Sequence, residues 1–162
     1  MILNILNCPD KTMDTLTPQQ RHYNMSRIKG SDTRPEKLVR SQLHRAGFRF
    51  RKNYRKLPGK PDIVLPRYHA VIFINGCFWH FHEHCPKAHL PKTNTEFWSK
   101  KLTGNRNRDR EEIEQLLKKD WRVGIVWECS ITGKNRALKI LDVSEEITWW
   151  LEEEFEVRFR EF

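Results

Sequence analysis

A chain of 162 residues, 38% hydrophobic and 31% charged, with six Trp, nine Phe and three Tyr, can fill one core and is too aromatic for disorder throughout. Its net charge of +9 is uneven: residues 142–162 hold eight acids and two bases, so residues 1–141 carry +15, a surplus that points to a polyanion such as nucleic acid. No apolar run approaches the roughly 20 residues of a membrane helix, and the opening MILNILN lacks the basic flank of a signal peptide. The expected compartment is the cytoplasm, where the four cysteines serve as ligands or free thiols rather than disulfides.

Residues 1–16 carry no clear period and read as a flexible arm, with residues 17–162 as a single domain. Thr17-Pro18 pairs a cap with proline at the first helical position and predicts a short helix to about Ile28. Gly30-Ser31-Asp32 breaks it, and Asp32 or Thr33 caps a second helix that Gly47 ends. Leu38, Val39, Leu43 and Ala46 give that helix its apolar stripe. Glu36 falls on or beside the same inward face, an odd place for an unpaired acid.

Phe48-Arg49-Phe50-Arg51 alternates like a strand. LPGKPDIVL is a turn running into a strand that begins at Asp62, and residues 66–69 turn the chain again. Ala70 to Ile74 is wholly apolar and reads as a strand buried on both faces. Residues 95–119 look helical with a break near Gly104, Trp121 to Trp127 is another apolar strand, and Val143-Ser144 can staple and cap a last helix to about Phe155. This order predicts a three-layer α/β fold with a mixed sheet between helices.

Between two of these elements lies GCFWHFHEHC, Gly76 to Cys85. Structural zinc takes four tetrahedral Cys or His ligands. Cys77, His82 and Cys85 supply three, and Cys129 joins them if the strands ending at Ile74 and Trp127 are neighbours; His84 and His89 are rival ligands, and Cys8 in the arm is free. Zinc explains the thiols and imidazoles but not the Phe78-Trp79 pair. Adjacent residues in extended backbone point opposite ways, so both cannot easily face one core. An aromatic wedge on a pinned loop of a basic protein can insert between base steps of DNA.

Pro61-Asp62 places a carboxylate at the start of a strand, where it can hold Mg²⁺, a hard cation suited to oxygen ligands. Glu36 offers a second carboxylate, and His80 can take a proton from a water attacking a phosphodiester.

Together these residues resemble the very short patch repair endonuclease family. The resemblance runs from about Asn24 to about Leu151 and rests on Asn24-Met25, the helix with Glu36, Leu57 to Asp62 (LPGKPD), Val71 to His80 (VIFINGCFWH), Pro91 to Trp98 (PKTNTEFW) and Val126 to Cys129 (VWEC), matching in order and spacing. It implies a restriction-endonuclease-like fold and nicking of one DNA strand on the 5′ side of the thymine in a T·G mispair, leaving a 3′-hydroxyl and a 5′-phosphate. Such mispairs arise when 5-methylcytosine deaminates. The implied partner is double-stranded DNA carrying the mispair, met by a monomer in the cytoplasm of a bacterial or phage-type host.

The resemblance also implies roles. Asp62 and the backbone carbonyl of Ile74 bind catalytic Mg²⁺, Glu36 holds metal-bound water, and His80 is the general base. Cys77, His82, Cys85 and Cys129 bind structural Zn²⁺; Phe78 and Trp79 wedge into the duplex while Met25 enters from the other groove. The best-known members carry histidine where Asn75 stands; Asn75 can hydrogen-bond a metal-bound water but cannot titrate. The loop from Cys77 to Cys85 is one residue longer than in some members. A related nuclease with another sequence or structural target and a non-catalytic zinc DNA-binding protein are the rival readings.

Overall fold

The computed structural model describes residues 17–162; the expected arm and Cys8 lie outside the described residues. Two capping boxes start the chain. Thr17 caps α1 (Pro18–Ser26), its hydroxyl accepting from the Gln20 amide at 3.2 Å while Gln20 returns the favour to the Thr17 N–H at 2.9 Å. Thr33 and Glu36 do the same for α2 (Arg34–Arg45), and Gly47, at φ +92°, follows its end. The inward face of α2 buries Val39 and Leu43 together with Glu36 and Arg40.

The strand expected from Phe48 shrinks to β1 (Arg51–Lys52). The Phe48 amide donates to the Leu43 carbonyl at 3.0 Å, so the backbone there is still closing the helix, and the Phe48 ring plugs the core edge-on to Tyr68. β2 (Ile63–Leu65) and β3 (Ala70–Asn75) follow as predicted, joined by a single 3₁₀ turn over Pro66–Tyr68. β4 (Arg122–Trp127) is the second long apolar strand. With β5 (Phe159–Glu161) at its far edge, the sheet runs β1-β2-β3-β4-β5, antiparallel through β3 and parallel beyond it, with Asn75 level with Trp127.

β5 (Phe159–Glu161) was not foreseen. It pairs parallel to β4 after the chain leaves α4 (Arg136–Glu152). That helix starts well before Ser144, whose hydroxyl bonds back to the Ile140 carbonyl at 2.6 Å from inside the helix rather than capping it. Nor does Gly104 break α3 (Thr95–Lys118). A glycine on an exposed helix surface costs about 1 kcal/mol, too little to interrupt a helix anchored on the sheet through Leu102 and Leu116.

The two helical layers sort by strand parity. Ile63, Leu65, Ile72, Ile74 and Val126 face α2 and α4, while Val64, Val71 and Val123 face Leu116 of α3. This is the three-layer mixed α/β sandwich expected from the sequence. Buried Arg122 ties the last helix down, its guanidinium donating to the carbonyls of Trp150, Leu151 and Glu154 where four helical carbonyls lack partners.

Candidate active site and metal centre

Parallel pairing of β3 with β4 brings the ends of both strands to the same edge of the sheet. There the loop after β3 meets Cys129, in a 3₁₀ turn after β4. One donor atom each from Cys77, His82, Cys85 and Cys129 lies within 4.8 Å of the others, a set that could hold a metal ion. His82, rather than His84 or His89, completes it, with Nδ1 3.5 Å from the Cys129 sulfur and its ring stacked at 3.9 Å on Trp127. Lys139 steadies the cluster by donating to the Cys129 carbonyl at 3.3 Å.

The donor set suits a borderline-soft cation. Burial pushes the Cys77 thiol up to about 12 and raises that of Cys129. The Lys87 amide favours the Cys85 thiolate and holds its pKa down, and burial keeps His82 neutral. Two thiols that resist ionising alone, one buried and one half-buried, need a cation to release their protons.

The loop between the ligands is a succession of turns, with the amides of His80, Phe81 and His82 donating to the carbonyls of Gly76, Phe78 and Cys77. This corrects the expectation that Phe78 and Trp79 diverge. The backbone is not extended, so both rings lie on one side, edge-to-face at 5.1 Å, and both pack on Trp98 at 5.4 and 6.0 Å. Lys101 stands 5.6 Å from the Trp79 ring and 5.3 Å from that of Trp98, a cation–π arrangement.

Beside this cluster a groove of about 560 Å³ is lined by Glu36, Asp62, Ile74, Asn75, Trp79, His80 and Glu128. A larger groove of about 720 Å³ opens on the other side of Asn75 and His80, but neither Asp62 nor Glu36 lines it. Asp62 precedes β2, and its Oδ2 accepts the Ile74 amide at 2.7 Å. Burial lifts its carboxyl from the usual 3.8 to about 6, opposed by that hydrogen bond and reinforced by the nearby charge of Glu36.

Glu36 is already occupied. Its two oxygens accept the Asp32 amide at 2.9 Å, the Thr33 amide at 3.2 Å, the Thr33 hydroxyl at 2.8 Å and Arg40 at 2.5 Å. A carboxylate offers about four lone-pair sites, so a water bound there displaces one of these donors. Met25 stands apart: it is exposed on α1, and the groove wall nearest it in sequence begins at Ile28.

Sequence reasoning missed Asp109. Its Oδ2 lies 2.7 Å from His80 Nδ1, which orients the imidazole and engages that nitrogen rather than Nε2. Four residues earlier, Asn105 donates to the Trp79 carbonyl at 3.0 Å. Nothing in NRNRDREE distinguishes this acid from a solvated helix face; the four-residue spacing from Asn105 gains meaning only beside the loop. Arg106 pairs with Glu83 of that loop, so it is not a free basic group.

Gly59 shapes the opposite wall. At φ +70° an added Cβ would lie 2.9 Å from the Phe73 ring and from Glu112 Oε2. Gly59→Ala is expected to cost roughly 2–3 kcal/mol through the left-handed backbone and the overlap, and to slow any reaction that needs Asp62. Thermal melting checks this; an unchanged midpoint would refute the crowding argument.

Comparison with known proteins places the chain among DNA endonucleases. The family model described as DNA mismatch endonuclease Vsr matches residues 13–87. The type II nicking enzyme V.XorIIP of Xanthomonas oryzae pv. oryzae is 44% identical over 135 residues, spanning 81% of this chain and 98% of that one. V.NmeAIP, a type II nicking enzyme of Neisseria meningitidis serogroup A, is 46% identical over 77% of this chain and 87% of its own. The DNA mismatch endonuclease Vsr of Escherichia coli K12 is 46% identical over 72% of this chain and 74% of its own. The chain belongs to the Vsr family of DNA mismatch endonucleases, which are restriction-endonuclease-like in fold.

Proposed function

We propose that this endonuclease nicks one strand of duplex DNA on the 5′ side of the thymine in a T·G mispair, using Mg²⁺, and acts through residues 17–162 as a single domain. One observation carries the reading: Asp62, His80 and Trp79 line the same groove, so a cleavage centre and an aromatic wedge share one floor.

The Asp62 carboxylate and the Ile74 carbonyl would hold Mg²⁺, which supplies a Lewis acid for the charge that builds on the phosphate during attack. His80, through Nε2, takes the proton of the attacking water, and Asp109 stabilises the resulting imidazolium through Nδ1. The water oxygen bonds to phosphorus while the bond to the 3′ oxygen breaks, and that oxygen takes a proton from solvent water in the groove, leaving a 3′-hydroxyl and a 5′-phosphate. Asn75, buried where β3 ends, hydrogen-bonds water in the groove without titrating. Glu36 fixes the helix start beside Asp62 and receives a water only by exchange with one of its present donors.

Cys77, His82, Cys85 and Cys129 would hold Zn²⁺, which pins the loop. Phe78 and Trp79, backed by Trp98, insert beside the mispair, and Met25 enters from the opposite groove. Their partner is duplex DNA met by a monomer.

The test is a panel of end-labelled duplexes, T·G and matched, in varied flanking sequence with Mg²⁺. The expected result is one cut, 5′ of the mispaired thymine, with the stated ends. Cutting of matched DNA at the same rate would overturn the mispair reading and favour another target, a possibility that the names of the two nicking-enzyme relatives keep in view.

A further inference from the structure

The acidic C-terminal segment has no part in the proposed chemistry, and the outward face of α4 shows what it does instead. Ile140, Val143, Ile147, Trp150 and Leu151 turn inward at helical spacing and fill the core. The residues left outside are not uniformly polar. Leu138 is 61% exposed, Leu141 45% and Trp149 57%. They recur at intervals of three and eight along one side of the helix, which sets them on one outward stripe.

Acids share that face: Asp142, Glu145 and Glu152 on the helix and Glu153 at its C-cap are all exposed, within a segment of net charge −6. An exposed tryptophan on the same helix face as two exposed leucines is of the residue type most enriched where proteins bind one another. The acidic rim excludes DNA, whose phosphates it repels, and attracts cationic side chains. A second copy of the chain would set one acidic rim against another. The layer order also matters: α4 covers the face of the sheet opposite to α3, which carries Lys101, Asn105 and Asp109 of the DNA-side site.

We infer that the outward stripe of α4, from Leu138 to Trp149, docks a basic amphipathic helix of a partner protein: leucine-type side chains against Leu138, Leu141 and Trp149, and lysine or arginine against the acids among them. Because none of Leu138, Leu141 and Trp149 lines the cleavage groove, the partner is held while DNA is bound.

The probe is a fluorescein-labelled 18-residue peptide of leucine and lysine in amphipathic helical order, titrated with the full-length protein and followed by anisotropy. Saturable binding is expected. Trp149→Ala should weaken it about tenfold or more, and Glu145→Lys combined with Glu153→Lys should weaken it further, while nicking of T·G duplex by each variant stays at the wild-type rate. A peptide of the same composition in scrambled order should bind at least about tenfold more weakly, since it presents no continuous apolar face. Binding unchanged by Trp149→Ala, equal binding of the scrambled peptide, or displacement of the peptide by duplex DNA would each overturn the inference. Sedimentation decides the remaining alternative: a concentration-dependent dimer lost on Trp149→Ala would assign the stripe to a second copy and refute the basic partner. Retained nicking in these variants separates failure of this inference from failure of the nuclease reading.

Discussion

Asp62→Asn is expected to reduce strand cleavage by a factor of about 10³ or more while leaving DNA affinity within a few-fold of wild type, because a neutral amide cannot hold the cation that stabilises phosphoryl transfer. The same substitution should make the metal-free protein more stable. Burial raises the Asp62 carboxyl to about 6. Its contribution to folding stability is therefore fully present below the unfolded value of 3.8 and lost as pH rises through about 6. Asparagine suffers no such loss, and its amide oxygen can still accept the Ile74 N–H. The gain for the variant should be near zero at pH 4 and reach roughly 2–3 kcal/mol at pH 8, a rise of several degrees in melting temperature. Added Mg²⁺ should close the gap by binding only the wild-type carboxylate. Melting curves at the two pH values, with and without Mg²⁺, measure both effects. Parallel pH profiles for the two proteins, or residual wild-type cleavage by the variant, would remove Asp62 from the centre of the site.

The second large effect concerns the thiol cluster. Cys85→Ser is expected to release one equivalent of bound metal, lower stability by about 3–5 kcal/mol and abolish nicking, since the turns from Gly76 to Cys85 carry His80 and both wedge aromatics. Metal affinity should fall as pH drops, because the raised Cys77 and Cys129 thiols must lose protons to bind. Cys8→Ser should change neither metal content nor activity. A colorimetric metal assay on the two variants, paired with thermal melting, is sufficient. Full metal content in Cys85→Ser would dismiss the proposed ligand set.

Much of this was legible in the residues. β3 and β4 are continuous apolar runs, which only a strand covered on both faces requires, and of the two expected caps of α2, Asp32 and Thr33, it is Thr33 that serves. The metal ligands could be chosen from type and spacing, with His82 set ahead of His84 by the family resemblance, and the stacking of its ring on Trp127 holds it beside the thiols. Other features were hidden for definable reasons. α4 follows Asn135, which is left-handed and makes no side-chain cap, so its usual start signal is missing. β5 is three residues of mixed polarity whose order comes from β4 alone. The orientation of Phe78 and Trp79 depends on turns that no period reveals. Asp109 looked like one charge among many until His80 lay beside it.

The row that α3 turns toward the loop joins events usually assigned to separate parts of an enzyme. Trp98 backs the wedge, Asn105 grips its backbone and Asp109 aims the imidazole, all from one uninterrupted rod. Each residue added to a helix swings everything beyond it by about 100°, so an insertion between positions 98 and 109 would part Trp98 from Asn105 and Asp109 even with every side chain kept. Length in this rod is therefore as constrained as chemistry.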